Sequence, residues 1–280
     1  MNLKMRSSYL AVAASILSTA SAACDRSILT EVASRYITAQ SLAETNYIRL
    51  LTPETTYLEN GAATNISSGI ISQRLKIDHS RSIHDTTTCA TYSELIITDP
   101  KHYVIGTQIY LTPNGTAITK IESLVTDADD WLFNAQHTLY YALQEHWLPI
   151  PESKQDTRAT IQAAADAYLD LFKGGPGSVN VPWAENCRRL EGGLYTAPGD
   201  TCNSGVPSGV SLVNRRYIID ETFGTVDVFL NFGGDGGLND SHEFRIEGGR
   251  IRYVHTITVC KEFNCGFGDP PEELSKDLGW

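Results

Sequence analysis

Residues 189–193 (RLEGG) lie over residues 57–61 (YLENG) at a distance of 132 positions, and this overlay decides how the whole chain is read. Upstream, Leu29, Val32, Ala33 and Tyr36 recur at helical spacing and predict an amphipathic helix over roughly residues 27–42. Ile161, Ala164, Ala165 and Tyr168 repeat the pattern over roughly 157–172, and Tyr36 and Tyr168 are again 132 positions apart. Downstream, residues 114–118 (NGTAI) lie over 247–251 (EGGRI) at an offset of 133, which puts Glu122 over His255. Three matches in one order at nearly constant spacing point to an internal duplication.

The remainder of each half reads as strands. Residues 102–111 and 117–125 flank a Pro-Asn-Gly turn and predict a hairpin. Residues 241–246 and 250–259 flank Glu-Gly-Gly in the same way. Residues 226–232 (VDVFLNF) precede a glycine-rich stretch, 233–240, which looks like an insertion within the strand corresponding to 102–111. Helices followed by antiparallel strands imply an α+β class, with helices packed on one face of a curved sheet, twice over. The proline-bearing stretch 147–156 is the natural linker, so the expected domains are 23–150 and 151–265, with a tail over 266–280.

Residues 1–22 have the form of a secretory signal: Lys4 and Arg6, a short apolar stretch, then Ala20-Ser21-Ala22. A secreted protein is therefore expected, and its six cysteines suit an oxidising compartment. Cys24–Cys89, Cys187–Cys202 and Cys260–Cys265 are the expected pairs, out of fifteen that six cysteines allow. Asn65, Asn114 and Asn239 stand in N-x-S/T sequons near turn formers and are candidate glycosylation sites. The net charge of −11 disfavours nucleic-acid partners and anionic lipid surfaces, and no segment is long and apolar enough to span a bilayer.

The opening helices, Leu190-Glu191-Gly192-Gly193 and residues 242–251 (HEFRIEGGRI) resemble the SnoaL-like branch of the NTF2-like superfamily. That resemblance implies a cone, in which helices close over a bent sheet and leave a deep apolar pocket. It also implies pairing through the sheets, hence a possible homodimer. Residues 78–89, 121–127, 130–135, 189–193, 214–220, 224–232 and 253–260 resemble a group of secreted fungal proteins with two cones in tandem. Some of these act in tropolone–sesquiterpene pathways. The activity implied there is loss of water from a hydroxymethyl tropolone, followed by hetero-Diels–Alder addition of the quinone methide to a terpene alkene. A simpler SnoaL-like dehydratase or cyclase, and a non-catalytic secreted binder of small molecules, are the alternatives. The chemistry implied needs no cofactor, and its partners are apolar small molecules.

Alternation on the last strand puts Tyr253, His255, Ile257 and Val259 on one face and Val254, Thr256 and Thr258 on the other. The first set is the more apolar and is expected to face the cone interior. His255 is then a proton donor or acceptor in a dry pocket, or a core histidine satisfied by a backbone or carboxylate partner. Glu122 holds the equivalent place in the first half. Glu59 and Glu191 follow the helices and either polarise a substrate hydroxyl or pair with an arginine. His255, Glu122, Glu191 and Glu59 are the catalytic candidates; Tyr253, Trp183, Trp131 and Arg216 are the substrate-binding ones. Residues 78–85 (DHSRSIHD) are dense in potential metal ligands, but the spacing fits no preferred geometry and reads as a polar loop pinned by Cys89. No metal is expected.

Overall fold

Asp25 accepts the Ser27 backbone N–H and starts α1 (Arg26–Leu42), and Thr157 accepts the Thr160 N–H and starts α3 (Arg158–Gly174). The two caps stand 132 positions apart, so the duplication extends to the helix start signals. Leu29, Val32, Ala33 and Tyr36 form the buried face of the first helix; Ile161, Ala164, Ala165 and Tyr168 lie on the buried face of the second. These positions come from a computed structural model, which describes residues 24–195, 202 and 205–260. The candidate signal at 1–22, the tail at 266–280 and Cys265 lie outside the described residues.

Six strands follow α1: β1 (Thr56–Glu59), β2 (Ala62–Ala63), β3 (His79–Asp85), β4 (Ala90–Ile97), β5 (Tyr103–Leu111) and β6 (Ile118–Thr126). A short helix, α2 (Ala135–Ala142), precedes the linker and α3. The second set is β7 (Trp183–Glu191), β8 (Leu194–Tyr195), β9 (Leu212–Asp220), β10 (Thr225–Phe232), β11 (Leu238–Glu247) and β12 (Arg250–Val259). The strand orders are β2-β1-β6-β5-β4-β3 and β8-β7-β12-β11-β10-β9, which are the same topology twice. The turns also coincide: Asn60 and Gly192, both left-handed, reverse the chain after Glu59 and Glu191. Leu58 pairs with Glu122 and Leu190 with His255, so these two side chains do hold equivalent places. The protein is α+β, two tandem helix-on-sheet units of one topology.

Each sheet is covered on both faces. One face of the first sheet packs on α1 through Leu95, Ile105, Ile109, Ile121 and Val125. One face of the second packs on α3 through Val226, Val228, Phe244 and Val254. The opposite faces meet each other through Tyr92, Ile96, Leu124, Ile218, Phe229 and Ile257. The contact is reciprocal. Arg26, at the start of α1, forks onto Asp220 at the end of β9 (2.9 and 2.6 Å). Arg158, at the start of α3, forks onto Asp85 at the end of β3 (2.8 and 2.7 Å). A contact in which i meets j and the copy of j meets the copy of i is the mark of an isologous two-fold interface. The sheet face expected to pair two molecules is thus paired within one chain.

Two expectations about elements are corrected. Residues 79–85 form edge strand β3, because its polar side chains reach across to the second half. The glycine-rich stretch after Phe232 is the hairpin between β10 and β11, and β11 starts at Leu238; the left-handed backbone at Gly233, Gly234 and Gly236 makes the reversal. Cys24–Cys89 and Cys187–Cys202 are bonded. They fit an oxidising compartment, and no helix among the described residues is long and apolar enough to cross a membrane.

Candidate functional site

Strand β11 carries Asp240, His242 and Phe244 toward α3, and Ser241, Glu243 and Arg245 the other way, by simple alternation. On the α3 side lies a cavity of about 390 Å3, within the range of ordinary ligand sites. Phe172, Phe232, Leu238, Val210 and Trp131 make most of its wall apolar. Its polar elements are Asp240, His242, Glu191, Thr256 and Thr258. His242 is 2% exposed and sits against the rings of Phe244, Phe172 and Tyr168. Its Nδ1–H donates to Asp240 Oδ1 at 2.5 Å, and Asp240 Oδ2 accepts from the Thr258 hydroxyl at 2.7 Å. With the Nδ1 proton held by a carboxylate, Nε2 keeps the lone pair, which is the tautomer a general base needs.

Trp131 reaches this cavity from the first half, and hydrogen bonds between the halves place it. Gly193 N–H donates to Leu132 O at 2.7 Å, and the Thr138 hydroxyl donates to Gly192 O at 2.7 Å. Gly192 has φ of +56°, and a side chain there would start 2.5 Å from Trp131 O. Glu191 pairs with Arg189, which also donates to Cys202 O at 2.7 Å and so ties the Cys187–Cys202 disulfide to the cavity wall. Among the expected site residues, Glu191 and Trp131 are brought together here.

The others lie elsewhere. The expectation that Tyr253 and His255 face the cone interior is corrected: their side of β12 faces the first half. Both faces of the strand are buried, so apolarity did not distinguish them. His255 Nδ1 meets Glu94 at 2.9 Å and Nε2 meets Glu145 at 2.7 Å, and the carboxylate-satisfied alternative is the one observed. The two carboxylates outweigh burial and push the imidazole pKa up to about 10, while His255 and Arg81 hold Glu94 down at about 2 against its own burial. Arg81 joins the cluster through Glu243 (2.5 Å) and Glu94 (3.1 Å), and its guanidinium lies 3.7 Å from the centre of the Trp147 ring. Tyr253 packs on the same Trp147. Glu122 accepts from Arg216 at 2.7 Å and from Lys120 at 2.8 Å at the interface. Glu59 accepts from the Tyr57 hydroxyl and the Ile70 N–H within the first unit. Trp183 stands edge-on to Tyr168.

Glu94, Glu243 and His255 bring ligand-type atoms within 4.8 Å of one another. They do not suit a metal ion: Arg81 already supplies the positive charge to both carboxylates, and an imidazole bonded to a carboxylate at each nitrogen offers no lone pair.

Sequence reasoning missed His242, Asp240 and Tyr168 as site residues. The signal was the repeat itself. Thr107 pairs with Ser123 in the first sheet, and His242 pairs with Thr256 at the matching place in the second. A hydroxyl in one half corresponds to an imidazole in the other.

Residues 154–258 match a family model described as a domain of unknown function, DUF8021. No match was found among curated proteins. Among solved structures, an NTF2-like protein of unknown function from Cytophaga hutchinsonii is similar at 12% identity, over 36% of this chain and 83% of that one, with a TM-score of 0.26.

Proposed function

We propose that the second unit houses a cofactor-independent acid–base site for an apolar, oxygenated small molecule. The observation that carries this is the buried His242–Asp240 pair opening on a cavity whose wall is mostly apolar. Such a pair takes a proton at Nε2 and returns it, with Asp240 stabilising the imidazolium in between.

The finer reading follows the tandem-cone resemblance. His242 removes the ring hydroxyl proton of a hydroxymethyl tropolone and delivers it to the hydroxymethyl oxygen, which leaves as water. The quinone methide so formed then adds across a terpene alkene, making one C–C and one C–O bond. The aromatic walls hold the two apolar partners in reacting geometry, an effect worth roughly 7–11 kcal/mol in favourable cases. Secretion and small-molecule partners belong to the same proposal.

The test is incubation of the purified protein with a hydroxymethyl tropolone and a humulene-type alcohol, with yield and stereoisomer ratio compared against the protein-free mixture. The proposal expects an enhancement that His242→Ala abolishes. Equal product with and without protein would leave the site as a binding cavity only. Full turnover by His242→Ala would remove the acid–base assignment.

A further inference from the structure

The two units place a tyrosine at the same point of the same helix, and the two hydroxyls have different fates. Tyr36 bonds to the Thr107 hydroxyl at 2.7 Å, and Thr107 bonds to Ser123 at 2.9 Å. All three are buried, and this chain closes the interior of the first unit. In the second unit the place of Thr107 is taken by His242, whose Nδ1 is committed to Asp240. The Tyr168 hydroxyl, fully buried, has no hydrogen-bond partner among the described residues. Leaving such a group unpaired is costly, so it marks a place where something else bonds.

Tyr168 stands just behind the polar end of the cavity. The Tyr168 ring packs on His242 and Phe172, both of which line it. Burial holds the phenol above its usual pKa; Arg189 acts against this, and Glu191 and Asp240, two more lining residues, act with it. The group is therefore a neutral O–H donor throughout the working pH range.

We infer that Tyr168 donates its phenolic hydrogen to a carbonyl or enol oxygen of the bound molecule, which sets that oxygen beside His242. This rests on the second unit being the binding site, and narrows its ligand to an apolar body with an oxygen at one end. Tyr168 becomes a specificity-determining donor, and Tyr36 is its structural counterpart with the bond closed inside the protein.

The experiment uses the full chain and two probes of nearly equal shape, 2-acetylnaphthalene and 2-ethylnaphthalene, titrated calorimetrically. Tyr168→Phe should weaken the ketone roughly 2- to 12-fold, the range of one net hydrogen bond, and leave the hydrocarbon within about twofold. Its melting temperature without ligand should stay level or rise, because an unpaired hydroxyl is removed. Tyr36→Phe should do the reverse: a lower melting temperature and unchanged affinities. Undiminished ketone binding by Tyr168→Phe, or a loss of melting temperature like that of Tyr36→Phe, would overturn the inference and leave the cavity standing. Failure of the parent to take either probe would sink both the inference and the site. Selective loss of ketone binding in Tyr168→Phe beside full turnover by His242→Ala would keep the inference and remove only the acid–base reading.

Discussion

His255→Ala is expected to cost stability rather than chemistry. The substitution leaves Glu94 and Glu145, whose side chains are each 1% exposed, without the cation between them. Breaking a buried ion pair by removing one partner costs about 3–5 kcal/mol. Arg81 still serves Glu94, and Trp147 and Tyr195 still donate to Glu145, which holds the figure to that range. At 2–4 °C per kcal/mol for a chain of this size, the melting temperature should fall by roughly 6–20 °C. The pH dependence identifies the cause. His255 has its pKa raised from 6.5 to about 10, so its contribution is fully present below 6.5 and lost as pH rises through 10. Glu94 has its pKa lowered from 4.5 to about 2, so its contribution is present above 4.5 and lost as pH falls through 2. The gap between parent and variant should therefore be widest between pH 4.5 and 6.5 and shrink above that by about 1.4 kcal/mol per pH unit. Urea unfolding from pH 5 to 9 reads this directly. A variant that melts within a degree or two of the parent, or a gap that does not change between pH 6 and 9, would refute the charge argument.

Arg26→Met and Arg158→Met break the two copies of one reciprocal contact, and each should cost about 1–3 kcal/mol in urea, since both arginines are partly exposed while their aspartates are not. Markedly unequal losses would count against the two-fold relation. Gly192→Ala must displace Trp131 O or abandon a left-handed backbone, so a fall of several degrees in melting temperature should come with weaker probe binding in the second unit; unchanged binding would detach Trp131 from the site. Asn65 and Asn114 are exposed, whereas Asn239 is 8% exposed and donates to Asn60 O across the interface. In protein secreted from a eukaryotic host, deglycosylation with peptide mass mapping should find glycan at the first two and none at Asn239.

The helices were legible because each buries one face and exposes the other, which is what a 3.6-residue period encodes. The hairpins were legible from Pro-Asn-Gly and Glu-Gly-Gly, and the repeat from turns that need the same left-handed residue at the same offset. The orientation of β12 was not. Every residue from Tyr253 to Val259 is buried, since one face meets α3 and the other meets the first sheet, and a strand covered on both sides carries no inside-outside contrast. Edge strand β3 was hidden for the opposite reason. Its composition has loop-like polarity, and Arg81 and Asp85 find partners far away in sequence, at Glu243, Arg158 and the Ile219 backbone.

On the proposed function, the same covered interface explains how one half could become a site while the other did not. In a homodimer of such units every substitution appears twice, so a residue that opens one cone opens both. Joining the copies in one chain removes that coupling. Under the pseudo-two-fold, Thr107 corresponds to His242, Ser123 to Thr256 and Glu122 to His255. The first of these exchanges takes from the helix tyrosine its internal partner and brings in an imidazole; the last puts the His255 cluster, which fastens the linker, where the first unit has Glu122 bonded to Arg216 and Lys120. The first unit keeps its hydroxyl chain closed and supplies Trp131 to its neighbour's cavity. Packing in one half and chemistry in the other are then separable by mutation. Changes along Tyr36, Thr107 and Ser123 should register in unfolding, and changes along Tyr168, His242 and Asp240 in binding and turnover.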